Sequence, residues 1–141
     1  MRVVADTNVI LSALLWPGVP HQLLSAAESG RMVLYTSPAL VEELADVLTR
    51  RKFASRLAMR EVTPVELVAG YVKLTRLILP TLLRTVLVET DPSDDIVLAC
   101  ALAARAHYVV SGDAHLLTLQ HHHPFRIVSP LTLLNTLRGS R

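Results

Sequence analysis

Asp6 closes the run Arg2-Val3-Val4-Ala5, and three further acids, Glu43, Asp95 and Asp113, recur where later apolar or helical segments begin. In an α/β chain, the strand ends and the helices that follow them face a common crevice, so acids distant in sequence can meet there. Left without a counter-ion they would raise each other's pKa, because like charges sharing a site disfavour ionisation. A divalent cation resolves the conflict, and an all-oxygen ligand set suits Mg²⁺ or Mn²⁺. Such an ion offsets the charge of a phosphodiester, makes a water nucleophilic near neutral pH and stabilises the leaving oxygen. In-line hydrolysis then requires no covalent nucleophile.

The neighbours of these acids suit that chemistry. Thr7 and Asn8 follow Asp6 directly and could orient its carboxylate or a bound water; ligating carboxylates are themselves held by hydrogen bonds. Glu43 falls about two turns into a helix that Ser37 would cap, and Glu42 points roughly 100° away around it, so one of the two faces the site. Asp113 follows Ser111-Gly112, where the glycine lets backbone approach a ligand. Each acid also has a plainer reading. Asp94 and Asp95 suit a helix N-terminus through the macrodipole, and Asp113 could cap Ala114-His115-Leu116-Leu117. Asp6 is harder to explain that way, because strands disfavour Asp.

The elements that must position these side chains alternate along the chain. Arg2 to Ala5 reads as a short buried strand, and Val9 to Leu15 as a helix stopped by Trp16-Pro17-Gly18. Pro20 begins a second helix that Gly30 ends, Met32 to Tyr35 forms a second strand, and Ser37-Pro38 starts the helix carrying Glu43. Thr63-Pro64-Val65-Glu66 is a capping box whose helix is expected to run to Pro80. Val86 to Val88 is a third expected strand, and Ser93 is the expected cap of the helix containing Asp95. Tyr108 to Ser111 is a fourth strand, Arg126 to Val128 a fifth, and Ser129-Pro130 opens the last helix. Short strands separated by helices imply a parallel sheet covered on both faces.

At 141 residues the chain has the length of one domain, expected here to span 1–141, with 51% hydrophobic and 4% aromatic residues. No apolar stretch approaches the roughly 18 residues of a membrane span, and the N-terminus enters a strand directly, so the expectation is a soluble, cytoplasmic protein with no membrane partner. Cys100, the single cysteine, lies in the apolar run Ile96 to Leu102 and reads as core. A net charge of +2 conceals a basic remainder once the four pocket acids are set aside, and the preference for Arg over Lys suits a phosphate-rich partner.

Four segments, Asp6-Thr7-Asn8-Val9-Ile10-Leu11-Ser12-Ala13-Leu14, Ser37-Pro38-Ala39-Leu40-Val41-Glu42-Glu43-Leu44, Asp91-Pro92-Ser93-Asp94-Asp95-Ile96 and Ser111-Gly112-Asp113-Ala114-His115-Leu116-Leu117, together resemble the motifs of PIN-domain proteins. Their order and spacing are similar to the VapC-like toxin components of bacterial toxin–antitoxin modules. The resemblance implies a three-layer α/β/α fold around a five-stranded parallel sheet in order 3-2-1-4-5. It implies Asp6, Glu43, Asp95 and Asp113 as the metal-binding and catalytic set, supported by Thr7, Asn8 and Ser111, the last standing where relatives usually carry Thr. It further implies an Mg²⁺- or Mn²⁺-dependent endoribonuclease leaving a 5′-phosphate and a 3′-hydroxyl, a cognate antitoxin and a homodimer. Choosing Asp95 over Asp94 rests on motif alignment.

Other features stand beside that pattern. Arg50, Arg51, Lys52 and Arg56 are candidate RNA contacts, and Lys52, Arg56 and Arg60 would share a face if one helix runs through them; a solvated helix face is the plainer reading. No run of exposed aromatics suggests base stacking; Leu14, Leu15 and Trp16, with the leucine-rich helix after Pro64, offer more apolar surface than a small sheet would cover, core packing being the plainer reading and a homodimer or antitoxin surface the one the resemblance allows. The triplet His121-His122-His123 lies outside the family pattern and lacks the separated ligands of a formed transition-metal site. A haloacid-dehalogenase-like phosphatase using Asp6 as nucleophile would want a second Asp at the position of Asn8. A silent PIN-like scaffold binding RNA or protein would be expected to have lost one of the four acids.

Overall fold

The computed structural model describes residues 1–80, 92–118 and 124–139, with the side chains of 92–95 and 115 outside that description. Its sheet grows outward from β1 (Arg2–Ala5), which is hydrogen-bonded on both sides. β1 pairs in parallel with β2 (Val33–Thr36) through Val3 opposite Leu34, and with β4 (Tyr108–Val110) through Val4 opposite Val109. β3 (Arg76–Leu77) lies outside β2, and β5 (Arg126–Val128) outside β4, giving the parallel order β3-β2-β1-β4-β5 expected from the resemblance.

Alternation along the strands divides the core into two layers. Val3, Ala5, Val110 and Val128 face one side, where they pack with α1 (Thr7–Leu15), α2 (Val19–Glu28) and α8 (Pro130–Gly139). Val4, Val109 and Ile127 face the other, against α6 (Pro92–Ala104) and α7 (Ala114–Leu117). Opposite strand faces carrying apolar residues require helices on both sides, which is the three-layer arrangement. α3 (Pro38–Leu48) straddles the layers, with Leu44 and Leu48 in the first and Leu40 in the second. Leu98 of α6 is fully buried. Leu98→Ala is therefore expected to cost about 2–5 kcal/mol of unfolding free energy in a urea titration; a loss under about 1 kcal/mol would mean that α6 does not seal the second layer.

Local chemistry sets most boundaries. The Ser37 hydroxyl accepts from Leu40 N (3.3 Å) with Pro38 at the first helical position, and Gly30 ends α2 at φ +80° in the left-handed region. Thr63 and Glu66 form the expected reciprocal box at the start of α5 (Pro64–Leu74).

Three expectations need correction. α5 does not reach Pro80: the Thr75 hydroxyl donates to Tyr71 O (3.0 Å), Thr75 turns extended, and Arg76–Leu77 pair with Tyr35–Thr36 as β3. An open strand edge thus captures a segment that helix propensity alone would have extended. α6 begins at Pro92, so Ser93 is already inside the helix. No single helix carries Lys52, Arg56 and Arg60: a 3-10 turn (Arg51–Phe53) is followed by α4 (Ala54–Met59), with Arg60 just beyond its end. The strand expected at Val86–Val88 and the triplet His121–His123 lie outside the described residues.

Candidate active site

Residue 6 is placed by sheet and helix together. Its N–H donates to Val110 O (3.0 Å), tying the end of β1 to the end of β4, and its carbonyl accepts from Ile10 N (3.1 Å) as α1 begins. The Asp6 side chain caps that helix: Oδ1 accepts from Val9 N at 2.9 Å. An Asp that would be unfavourable within a strand is favourable at the step from strand to helix.

The Ser111 hydroxyl donates to Asp6 Oδ2 at 2.5 Å and accepts from Asp113 N at 2.9 Å. Ser111 is fully buried and its own N–H donates to Val128 O (3.0 Å), so the hydroxyl is held between the first and last acids of the chain's candidate set. Asp6 is only 8% exposed. Desolvation by burial raises its pKa above the ordinary carboxylate value, hydrogen bonds from Ser111 and Val9 pull it back, and the charges of Asp113 and Glu43 push it up again. Both charges acting on it are negative.

Asp6, Asn8, Gly112 and Asp113 border an open cleft of about 390 Å³, walled also by Pro20 and Pro130. Asn8 and Asp113 are exposed within it. Glu43 does not border this cleft; it is half-buried on α3 and close enough to act on the Asp6 charge. Asp95 occupies the fourth position of α6, and its side chain lies outside the described residues. Thr7 is buried at the first position of α1. Its buried Oγ1 has no hydrogen-bond partner among the described residues, and the residue borders a water-sized space with Thr36 and Tyr71.

The basic candidates stand apart from the cleft lining. Arg50, Arg51 and Lys52 are exposed, and Lys52 Nζ lies 5.1 Å from the Phe53 ring centroid. Arg56 is half-buried and donates through Nε to Leu15 O at 2.7 Å, a helix-capping contact not foreseen from its charge. Leu15 is core as expected, whereas Trp16 is 42% exposed. Cys100 is buried, and burial pushes its thiol up to about 12, partly offset by a hydrogen bond with Ser37; it is packing, not a nucleophile.

The donors present fit a hard divalent ion. Asp6 is a desolvated carboxylate whose hydrogen-bond donors are neutral and whose charged neighbours are acids. Among the described residues, no three His, Cys, Asp or Glu side chains are close enough to hold an ion by themselves.

Comparisons with known proteins agree with this geometry. Residues 2–115 match the family described as PIN domain. An uncharacterized protein of Methanocaldococcus jannaschii, MJ1680, is 25% identical over 134 residues, covering 94% of this chain and 84% of that protein. A chain in the crystal structure of VapBC2 from Rickettsia felis, bound to a DNA fragment from its promoter, shares the fold with a TM-score of 0.63 at 15% identity, covering 90% of this chain and 97% of that one. No single helix among the described residues is long and apolar enough to cross a membrane.

Proposed function

Because the chain belongs to the PIN domain family, we propose that it is a single-domain, cytoplasmic Mg²⁺- or Mn²⁺-dependent endoribonuclease, the toxin of a toxin–antitoxin pair. The observation that carries this reading is the buried Asp6 carboxylate at the end of β1, acted on by the negative charges of Asp113 and Glu43 and sharing its cleft with Asp113. The fold shared with a chain of the VapBC2 complex supports a cognate antitoxin as partner, and a homodimer is part of the same proposal.

In this mechanism Asp6 and Asp95 are the principal ligands, Glu43 a ligand or the base that orients water, and Asp113 a ligand for a more weakly held second ion. When bound, the ion supplies positive charge for the scissile phosphate and leaving oxygen and lowers the pKa of water. Asp6 contributes a pre-set orientation, since one oxygen is fixed by Val9 N and the other by Ser111. Asn8, exposed in the same cleft, would support the carboxylate or a bound water by hydrogen bonding. Asp113 is aligned through its backbone by the same serine hydroxyl.

Cleavage of end-labelled RNA and of DNA of the same sequence, in chelator and with Mg²⁺ or Mn²⁺ restored, tests the proposal. RNA fragments bearing 5′-phosphates and formed only with metal are expected. Cutting that persists in chelator, or equal cutting of DNA, would overturn it. Ser111→Ala should lower metal affinity and cleavage by about 10- to 100-fold, because the hydroxyl holds a ligand rather than serving as one. Unchanged metal affinity in a Mn²⁺ titration of that variant would show that Asp6 needs no such support.

A further inference from the structure

A second open cleft, of about 230 Å³, lies at the opposite end of α1 from Asp6 and is bordered by Trp16, His21, Arg56 and Arg60. Its walls follow from how α1 ends. A helix leaves its last four carbonyls without partners, and here each finds one. Trp16 N donates to Ser12 O (3.0 Å), His21 Nδ1 lies 3.1 Å from Ala13 O, Arg60 donates to Leu14 O, and Arg56 Nε donates to Leu15 O (2.7 Å). The cationic side chains are thereby immobilised while each guanidinium keeps further N–H donors.

The indole of Trp16 is held in the same way. It meets Phe53 edge-on at 6.2 Å, and the Arg56 guanidinium lies 5.6 Å from its ring centroid, yet 42% of the residue remains exposed. Among the described residues no acid lines the cleft. The chain segment that supplies its arginines adds three exposed cations, Arg50, Arg51 and Lys52. An exposed aromatic plane, a guanidinium plane and a predominantly cationic surround, in which Glu61 beside Arg60 is the acid of the same segment, are the parts of a sequence-tolerant site for a single-stranded polyanion. A protein partner could use the aromatic residue, but the excess of cations, Arg56 and Arg60 in the lining and Arg50, Arg51 and Lys52 nearby, favours phosphate.

We infer that the Trp16 cleft is a subsite for single-stranded RNA, in which a base stacks on the indole or on Arg56 and flanking phosphates meet Arg60 and Lys52. The inference deepens the ribonuclease reading and rests on it for the identity of the strand. The nine residues of α1 span about 14 Å at 1.5 Å each, so the subsite holds RNA flanking the scissile bond.

Trp16 is the chain's only tryptophan, so intrinsic fluorescence reports on this cleft alone. A short mixed-sequence single-stranded RNA is titrated into Asp6→Asn protein, which holds RNA without cutting it. Saturable quenching that weakens as salt rises is expected, with affinity, read by anisotropy of labelled RNA, falling about tenfold in Trp16→Leu and falling also in Lys52→Gln, an exposed position that leaves the fold untouched. RNA binding without quenching, or with both variants unaffected, overturns the subsite, as does an emission shift that follows protein concentration instead of RNA, which would mark a protein interface. Failure of the ribonuclease reading is separable: quenching by RNA together with no metal-dependent cleavage by the parent protein would leave the subsite standing and remove the nuclease.

Discussion

Asp6→Asn is expected to lower kcat/KM for RNA cleavage by about three orders of magnitude, roughly 4 kcal/mol of transition-state stabilisation, while the metal-free protein becomes no less stable. The two effects have one cause. Asp6 is a buried carboxylate whose charge is disfavoured by desolvation and by Asp113 and Glu43, a cost that a bound cation would offset. Asn is nearly isosteric: its Oδ1 still accepts from Val9 N and so retains the helix cap. The charge is lost, and with it both the repulsion and the ion affinity, while the Nδ2 amide that replaces Oδ2 donates to the Ser111 hydroxyl instead of accepting from it. Asp6→Ala removes the cap as well, so it should be less stable than Asp6→Asn by about 1 kcal/mol while equally inactive. Urea unfolding in chelator, beside oligonucleotide cleavage kinetics, reads both quantities. An Asp6→Asn enzyme within tenfold of the parent would remove Asp6 from the chemistry.

The second large effect is thermal. Mn²⁺ or Mg²⁺ at about 100 times its dissociation constant stabilises the native state by about 2.7 kcal/mol, which for a domain of this size is an increase in Tm of about 5–10 °C. Its pH dependence has a definite sign. The Asp6 pKa is raised in the folded protein, so between the unfolded and folded values the native state binds more protons, and stability falls as pH rises. In chelator, the parent should therefore lose stability relative to Asp6→Asn as pH climbs from the ordinary carboxylate value through the raised one, with the loss complete above it. Saturating cation competes with that proton, so the ion-induced increase should grow across the same window. A parent protein that gains stability over Asp6→Asn as pH rises in chelator would contradict the assignment.

How far the sequence disclosed this site differs from residue to residue. Asp6 was legible because its type conflicts with the strand it ends, and the structure resolves the conflict by making it the cap of α1. The caps at Ser37 and Thr63 were legible for the same local reason, a polar side chain three residues ahead of the amide that it accepts from. β3 was not: Arg76–Leu77 is two residues long, and what makes it a strand is the open edge of β2. Local pattern cannot register a partner forty residues away.

Side-chain partnerships were equally hidden. The bond from Ser111 to Asp6 spans 105 positions, and only family resemblance pointed to it. Arg56 looked like a free surface cation but caps the far end of α1, and Trp16 looked like core but remains partly exposed. One signal was available for Trp16: Pro17-Gly18 directly follows it, so the helix must end there and the indole lies at an element's edge.

The most direct test of the central claim is to sequence 5′-phosphate ends in a cellular RNA pool incubated with Mg²⁺ or Mn²⁺ and either the parent protein or Asp6→Asn. Discrete, metal-dependent 5′-phosphate ends are expected with the parent and none above background with the variant, which would identify the target RNA at the same time. Identical end profiles for the two proteins, with the metal saturating, would contradict it.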